Sequence, residues 1–279
     1  QITHVIRGED HLTNTSRQIN MFQALGAEPP VFAHVPMILG DDGARLSKRH
    51  GAVNVLDYRD NGYLPDALLN YLVRLGWSHG DQEVFSREEM IALFDIDDVN
   101  SAASAFNTEK LNWLNQHYLQ AADAGAVAPL LTEQLERASL DPTAGPAPAA
   151  VFEAYRERAV TLAGLAGNVG YLYTDAVALE PKAAKKHLRP VIAKPLAALR
   201  EALAALPAWD AVDLAETVAR VADAHEIGMG KLGQPTRVAV TGSGASPGLD
   251  ITLALVGRER TLARIDAALA FIAERENDS

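Results

Sequence analysis

Apolar and polar positions follow two different rhythms along these 279 residues. The first forty residues alternate short apolar runs with one helical stretch. "ITHVI" predicts a short buried strand within residues 1–7, and "VFAHVPMIL", residues 31–39, predicts a second one rich in β-branched residues. Between them a helix is expected from about Thr15 to Leu25, with Asn14 as its N-cap and Gly26 as its stop. Strand, helix, strand and then a polar loop at the strand's carboxyl end is the layout of half of an α/β nucleotide-binding sheet. The chain opens at Gln1 on strand-like sequence with no Met, which is expected of a fragment.

After residue 55 the rhythm becomes helical. "LPDALLNYLVRLG" places Pro65 in a first turn and predicts one apolar face from Leu68, Leu69, Leu72 and Leu75. Ser86 and Glu89 form a capping-box pattern ahead of "MIALF". Leu111, Leu114 and Tyr118 recur at helical spacing and predict core. Residues 121–150 are rich in Ala and Pro and read as a boundary region holding at least one helix, with several amphipathic helices following to 227. "GMGKLGQPTRVAVTGSGASPGLD", residues 228–250, is punctuated by Gly and Pro and predicts an interruption. A last helix is expected over roughly 258–276.

Composition narrows the classes. Hydrophobic content of 48% with 22% charged residues is ordinary for a globular protein, and no apolar run is long enough to span a bilayer. The absence of Cys excludes a disulfide framework and a Cys-based zinc site, and fits a cytoplasmic location. No pair of His at metal-ligand spacing occurs, so no metal site is expected. The net charge of −11 means that any nucleic acid must meet local basic patches. The densest is residues 182–200, with Lys182, Lys185, Lys186, Arg189, Lys194 and Arg200 and no acid.

Two Gly-rich strings, "GMGKLG" and "TGSGASPG", lack phosphate-loop spacing and lie outside any βαβ unit. "GDDGARLSKRHGAV", residues 40–53, is different. It follows a strand, carries Arg45, Lys48 and Arg49, and keeps small Ser47 beside Lys48, so a cationic side chain can swing onto phosphate. In that context "RLSKRHG" resembles the Lys-Met-Ser-Lys-Ser signature of class I aminoacyl-tRNA synthetases, in the form found in bacterial glutamyl-tRNA synthetases. "THVIRGEDHLTNTSRQINMFQALG", "LPDALLNYLVRLGWSHGDQE", "SAFNTEKLNWLN" and "GQPTRVAVTG", continuing to "LVGRERTLARIDAALAFI", are similar to that family in family order. The resemblance is weakest over 121–150 and 175–215.

The resemblance implies roles residue by residue. Lys48 matches the signature lysine that stabilises ATP phosphates as pyrophosphate leaves, and Arg45 keeps the charge of the usual first lysine. Leu46, Ser47 and Arg49 complete the ATP-binding loop. Ile38 matches a position whose backbone meets adenine, Asp10 an acidic position near ATP, and Arg7 an arginine that binds the substrate glutamate. A mutual Arg7–Asp10 ion pair is the plain structural alternative. Gln234, Arg237, Ser246, Pro247 and Leu249 match anticodon-binding positions, where unstacked bases expose their edges. Asp250 stands where the family often has an aromatic residue.

The implied fold is mainly α. Residues 1–55 are expected to be the end of a Rossmann-type catalytic domain, 56–120 a helical stem-contact domain and 121–279 an all-α anticodon-binding domain. The implied activity is glutamate–tRNA ligation, using ATP with Mg²⁺ as substrate, with tRNA(Glu), glutamate and ATP as partners, no membrane association and a monomeric state. The fragment alone is expected to be inactive. The alternatives are a tRNA anticodon-binding module without catalysis of its own, and a non-discriminating enzyme that also charges tRNA(Gln). A glutaminyl-tRNA synthetase would close with β-barrel domains, and a glutamyl-queuosine synthetase would lack the anticodon domain.

Overall fold

The computed structural model describes residues 2–40, 42–47, 49 and 54–277, and the chain divides into two compact units, residues 1–121 and 122–279. In the first unit, strand β1 (His4–Gly8) pairs in parallel with β2 (Val31–Val35), His4 opposite Val31 and Gly8 opposite Val35. Parallel strands need a crossover, and helix α1 (Leu12–Ala24) supplies it. A 3₁₀ turn over Glu9–His11 runs straight into α1, so the helix has begun before Asn14. Asn14 is therefore not the N-cap; its side chain meets the His11 ring at 3.2 Å. Gly26 does end the turn, in the left-handed region at φ 64°.

Two further expectations for this region are corrected. Ile6 is 55% exposed, so β1 is not a buried strand. The run 31–39 is not one strand, because Pro36 has no N–H to extend the ladder. Past it, β3 (Ile38–Leu39) joins a second parallel pair with β4 (Ser104–Ala105).

Among the described residues four α-helices complete the unit: α2 (Val55–Asp60), α3 (Pro65–Val73), α4 (Arg87–Leu93) and α5 (Thr108–Ala121). Asn54 and Asp57 close a capping box on α2, and Ser86 and Glu89 close the expected one on α4. Tyr58, Leu68, Tyr71, Phe106, Leu111 and Leu114 form the core between them. Each buried leucine contributes about 1.5–3 kcal/mol. Leu69 and Leu72 are not on that face; both are exposed and line an apolar groove of ≈ 580 Å³ with Met90, Ile91 and Phe94. Asn70, fully buried, is satisfied by the Glu83 carbonyl (2.9 Å), the Phe85 N–H (2.7 Å) and the Tyr118 hydroxyl (2.9 Å).

The second unit is all helix: α6 (Ala124–Arg137), α7 (Pro148–Tyr155), α8 (Leu162–Asn168), α9 (Pro181–His187), α10 (Pro190–Ala204), α11 (Ala211–Ala224), α12 (Met229–Thr241), α13 (Leu249–Val256) and α14 (Arg258–Asn277). The predicted interruption at 228–250 is thus mostly helix. Burial of Leu232, Val238, Ala239 and Val240 outweighs the helix-breaking preference of Gly230, Gly233 and Pro235. The carbonyl that Pro235 leaves without its helical partner is that of Lys231, an exposed residue open to water. Gly242 ends α12 at φ 79°, and its carbonyl accepts from Glu180 at the start of α9 (2.8 Å). A Cβ there would lie 2.3 Å from the Ala178 oxygen, so only glycine permits this approach. Arg264, buried on α14, donates to the carbonyls of Val240 (2.6 Å), Tyr171 (2.7 Å) and Asp175 (3.2 Å). Burial lowers its pKa to about 10. Among the described residues, no helix is long and apolar enough to cross a membrane.

Candidate functional site

The first unit gathers most of the residues expected at ATP and glutamate around the carboxyl ends of β1 and β3. Arg7 lies near the end of β1 and turns onto α1. Its Nη2 donates to Thr15 Oγ1 (2.7 Å) and Gln18 Oε1 (2.8 Å), and the guanidinium lies over the Phe32 ring at 5.2 Å. Thr15 is fixed in turn by the His34 ring at 2.8 Å. Every polar partner found for Arg7 is neutral, and its buried Nε has none among the described residues. A half-buried cation compensated only by neutral groups retains its attraction for a carboxylate.

Asp10 does not pair with Arg7. It lies 3.6 Å from Arg45, which unites the 3₁₀ turn after β1 with the loop after β3. Gly8 makes room for this turn, since a Cβ there would lie 2.5 Å from Asp10 Oδ1. Arg49 likewise pairs with Asp42 at 3.1 Å. Both ion pairs are exposed, so each contributes little to stability and opens readily when a stronger anion arrives. The acidic residues ahead of the loop thus hold its arginines loosely.

The base of the loop is anchored more firmly. The Leu46 N–H donates to the Ile38 carbonyl (2.9 Å), Leu39 bridges Arg45, and the side chains of Ile38 and Leu46 pack on the helical core. Ser47 is half-buried beside them. Lys48, the residue expected to be catalytic, lies outside the described residues, as do Asp41, His50 and residues 51–53.

In the second unit, Gln234 and Arg237 lie one turn apart on α12, a helical placement that the Gly and Pro spacing concealed. Arg237 Nη1 donates to the Pro247 carbonyl (2.5 Å) and to Ser246 Oγ. Ser246 Oγ also meets Thr252 Oγ1 at 2.8 Å. Burial lowers the Arg237 pKa; the nearby Arg158 acts in the same direction and Tyr171 opposes it. Ser246 and Pro247 are themselves buried, and Leu249 packs over Gly233 and the core. The structure therefore brings Arg237, Ser246 and Pro247 into one hydrogen-bonded unit whose side chains largely face inward.

Arg158 belongs to the same unit and was not foreseen. Its Nη1 donates to the Ser246 carbonyl at 2.7 Å across 88 residues of sequence. With Tyr155, Thr161, Asn168 and Ser243 it lines a cleft of ≈ 360 Å³ beside the 243–246 segment. Tyr155 and Tyr171 share a hydroxyl contact of 2.7 Å at its side, and burial raises both their pKa values. In sequence, Arg158 sits within "EAYRER", whose mixed charges look like any solvated helix face.

Two family models divide the chain between them. A family model described as tRNA synthetases class I (E and Q), catalytic domain, matches residues 1–113. A second, described as anticodon binding domain, matches residues 108–269. The crystal structure of a glutamate tRNA ligase from Elizabethkingia meningosepticum CCUG26117 in complex with its amino acid is similar at 30% identity and a TM-score of 0.79, covering 97% of this chain and 57% of that one. Glutamate-tRNA synthetase from Elizabethkingia anophelis is similar at 30% identity and a TM-score of 0.75, covering 96% and 57%. This chain thus spans 57% of the length of both relatives. With the two family models in sequence order on one helical chain, the protein belongs to the class I tRNA synthetases of the E and Q group and carries their anticodon-binding domain.

Proposed function

We propose that this chain serves a glutamate–tRNA ligase, which activates glutamate with ATP and Mg²⁺ and transfers it to the 3′ end of tRNA(Glu). The observation that carries the reading is the likeness to a glutamate tRNA ligase over 97% of the chain. The geometry around Arg7 supports an anionic substrate there. In this reading residues 1–55 belong to the catalytic domain, 56–120 contact the tRNA stem and 121–279 bind the anticodon. The enzyme acts as a cytoplasmic monomer.

In the activation step a glutamate carboxylate oxygen forms a bond to the α-phosphorus of ATP. The bond to the bridging oxygen breaks, and pyrophosphate leaves with the electron pair. A ribose hydroxyl of tRNA then attacks the mixed anhydride and AMP departs. Arg7 holds the glutamate by a carboxylate, exchanging Thr15 and Gln18 for a charged acceptor. Ile38 presents backbone to the adenine, and Asp10 lies beside the nucleotide. Arg45, Leu46, Ser47, Lys48 and Arg49 form the phosphate loop, with Lys48 as the catalytic group that meets charge growing on the leaving pyrophosphate. Gln234, Arg237, Ser246, Pro247 and Leu249 form the anticodon region, Arg237 by a base edge and by shaping the 246–247 turn. The test is binding of tRNA transcripts to the 279-residue chain. A tRNA(Glu) transcript is expected to bind at least tenfold tighter than one with an unrelated anticodon, and equal affinities would sink the assignment.

A further inference from the structure

A separate basic face lies on α9 and α10. Lys182, Lys185 and Lys186 stand at i, i+3 and i+4 along α9, Arg189 in the turn after it and Lys194 early on α10. All five are exposed, and none pairs with a carboxylate among the described residues. Arg200, the sixth cation of the stretch, is committed to Asp266 through two contacts of 2.9 Å. Arg275 of α14 adds a further cation, donating to the carbonyls of Ala184 (3.4 Å) and Leu188 (3.0 Å). Glu180 precedes α9, and α14 also carries Glu274 and Glu276, yet none of these acids pairs with the five.

Helix stability accounts for only part of the arrangement. Lys185 and Lys186 lie in the last turn of α9, where the dipole favours cations, but Lys182 lies in the first turn, where it does not, and like charges three and four residues apart repel. The pKa of His187 is lowered by its burial and then by Lys186 and Arg189, as expected where positive charge is uncompensated. The larger apolar residues of this stretch, Leu188, Ile192, Leu196, Leu199 and Leu203, are spent in the core with Ala183 and Ala184, and Val191 alone of them stands exposed. An interfacial membrane helix needs such a face free, and here it is not. Five exposed cations on two successive helices, with one exposed large apolar residue among them, suit the phosphates of a nucleic-acid backbone.

We propose that the α9–α10 face binds the phosphate backbone of the RNA that the same unit recognises, without reading its sequence. The inference rests on the tRNA-binding reading above and assigns the RNA a second surface, distinct from the Arg237–Ser246 cluster. The experiment uses the whole 279-residue chain and a variant with Lys185→Ala, Lys186→Ala, Arg189→Ala and Lys194→Ala, whose fold is checked by circular dichroism. Binding is measured for tRNA(Glu) and an anticodon-changed tRNA at 50 and 200 mM salt, and for vesicles containing anionic lipid. The variant is expected to lose at least tenfold in affinity for both tRNAs at low salt. The slope of log affinity against log salt should fall by about 3, from roughly 0.7–0.9 per phosphate contact. Wild-type binding with an unchanged slope in the variant overturns the inference and leaves tRNA recognition standing. Failure of the wild type to bind any tRNA overturns both. Vesicle binding that is lost in the variant while tRNA binding is kept makes the face a membrane contact and overturns the RNA assignment.

Discussion

Arg7 and Arg237 have similar chemistry and different situations. Arg7 meets neutral side chains, which a charged carboxylate outcompetes. Arg237 is already committed to a turn within its own unit. Arg7→Met in the enzyme containing these residues is therefore expected to raise the KM for glutamate at least tenfold while leaving the ATP KM within about twofold. Hydrogen bonds to charged groups are worth about 1.5–3 kcal/mol, which sets that scale. Equal increases for both substrates, measured by pyrophosphate exchange, would make Arg7 a scaffold residue. Arg237→Ala has two expected consequences. Loss of its bonds to Ser246 and Pro247 should lower the chain's stability by about 1–3 kcal/mol in urea unfolding. Anticodon preference should also relax at one position. A stability loss with preference intact would confine Arg237 to shaping the turn.

At the scale of elements, most helix signals that rest on local chemistry were readable, the Asn14 cap excepted. Pro65 in the first turn of α3 and the Ser86–Glu89 box on α4 are both observed, because caps depend on neighbours three residues away. What hid were outcomes decided by distant contacts. The helical state of α12 depends on burial against α10, α11 and α14, and Arg158 reaches Ser246 from 88 residues away. Of the candidate site, the loop was legible as charge after a strand and Arg7 only through the family resemblance, whereas the Asp10–Arg45 pairing needed the fold. Gly242 tests the α12 account. Gly242→Ala places a methyl against the Ala178 carbonyl at a positive φ and should cost about 1–3 kcal/mol. Near-neutral unfolding behaviour would show that the α9–α12 junction relaxes freely. In the first unit, Glu83 links α3 to α5 through Arg74 (2.9 Å) and Lys110 (2.8 Å). Lys110, and then Arg74, hold its carboxyl below the ordinary 4.5. A depressed folded pKa gives stability that is present above 4.5 and lost as pH falls through the folded value. Because the group is partly exposed, Glu83→Gln should cost only ~0.5 kcal/mol at neutral pH, and nothing below the folded pKa. A mutant-to-wild-type difference that does not shrink with acid would remove the ion pairs from the account.

For the molecule as a whole, nucleotide chemistry and RNA recognition make unequal demands on the polypeptide. A parallel sheet is normally covered on both faces and built of several strands. The described sheet that positions Arg7 has two, and Ile6 and Val31 on it are exposed. The second unit, by contrast, closes its own core and anchors it with Arg264. The 279 residues by themselves are accordingly expected to bind tRNA(Glu) but to give no glutamate-dependent ATP–pyrophosphate exchange. In an active enzyme containing them, Lys48→Ala should lower the rate of exchange by about 10²–10³-fold, with the KM for glutamate within about threefold of wild type. A group that acts on charge developing in the transition state behaves this way. Exchange by the isolated chain would mean that the two-stranded sheet suffices for adenylate formation. A Lys48→Ala enzyme with undiminished rate and weakened ATP binding would make Lys48 a ground-state contact, and the loop's catalytic role would pass to Arg45 or Arg49.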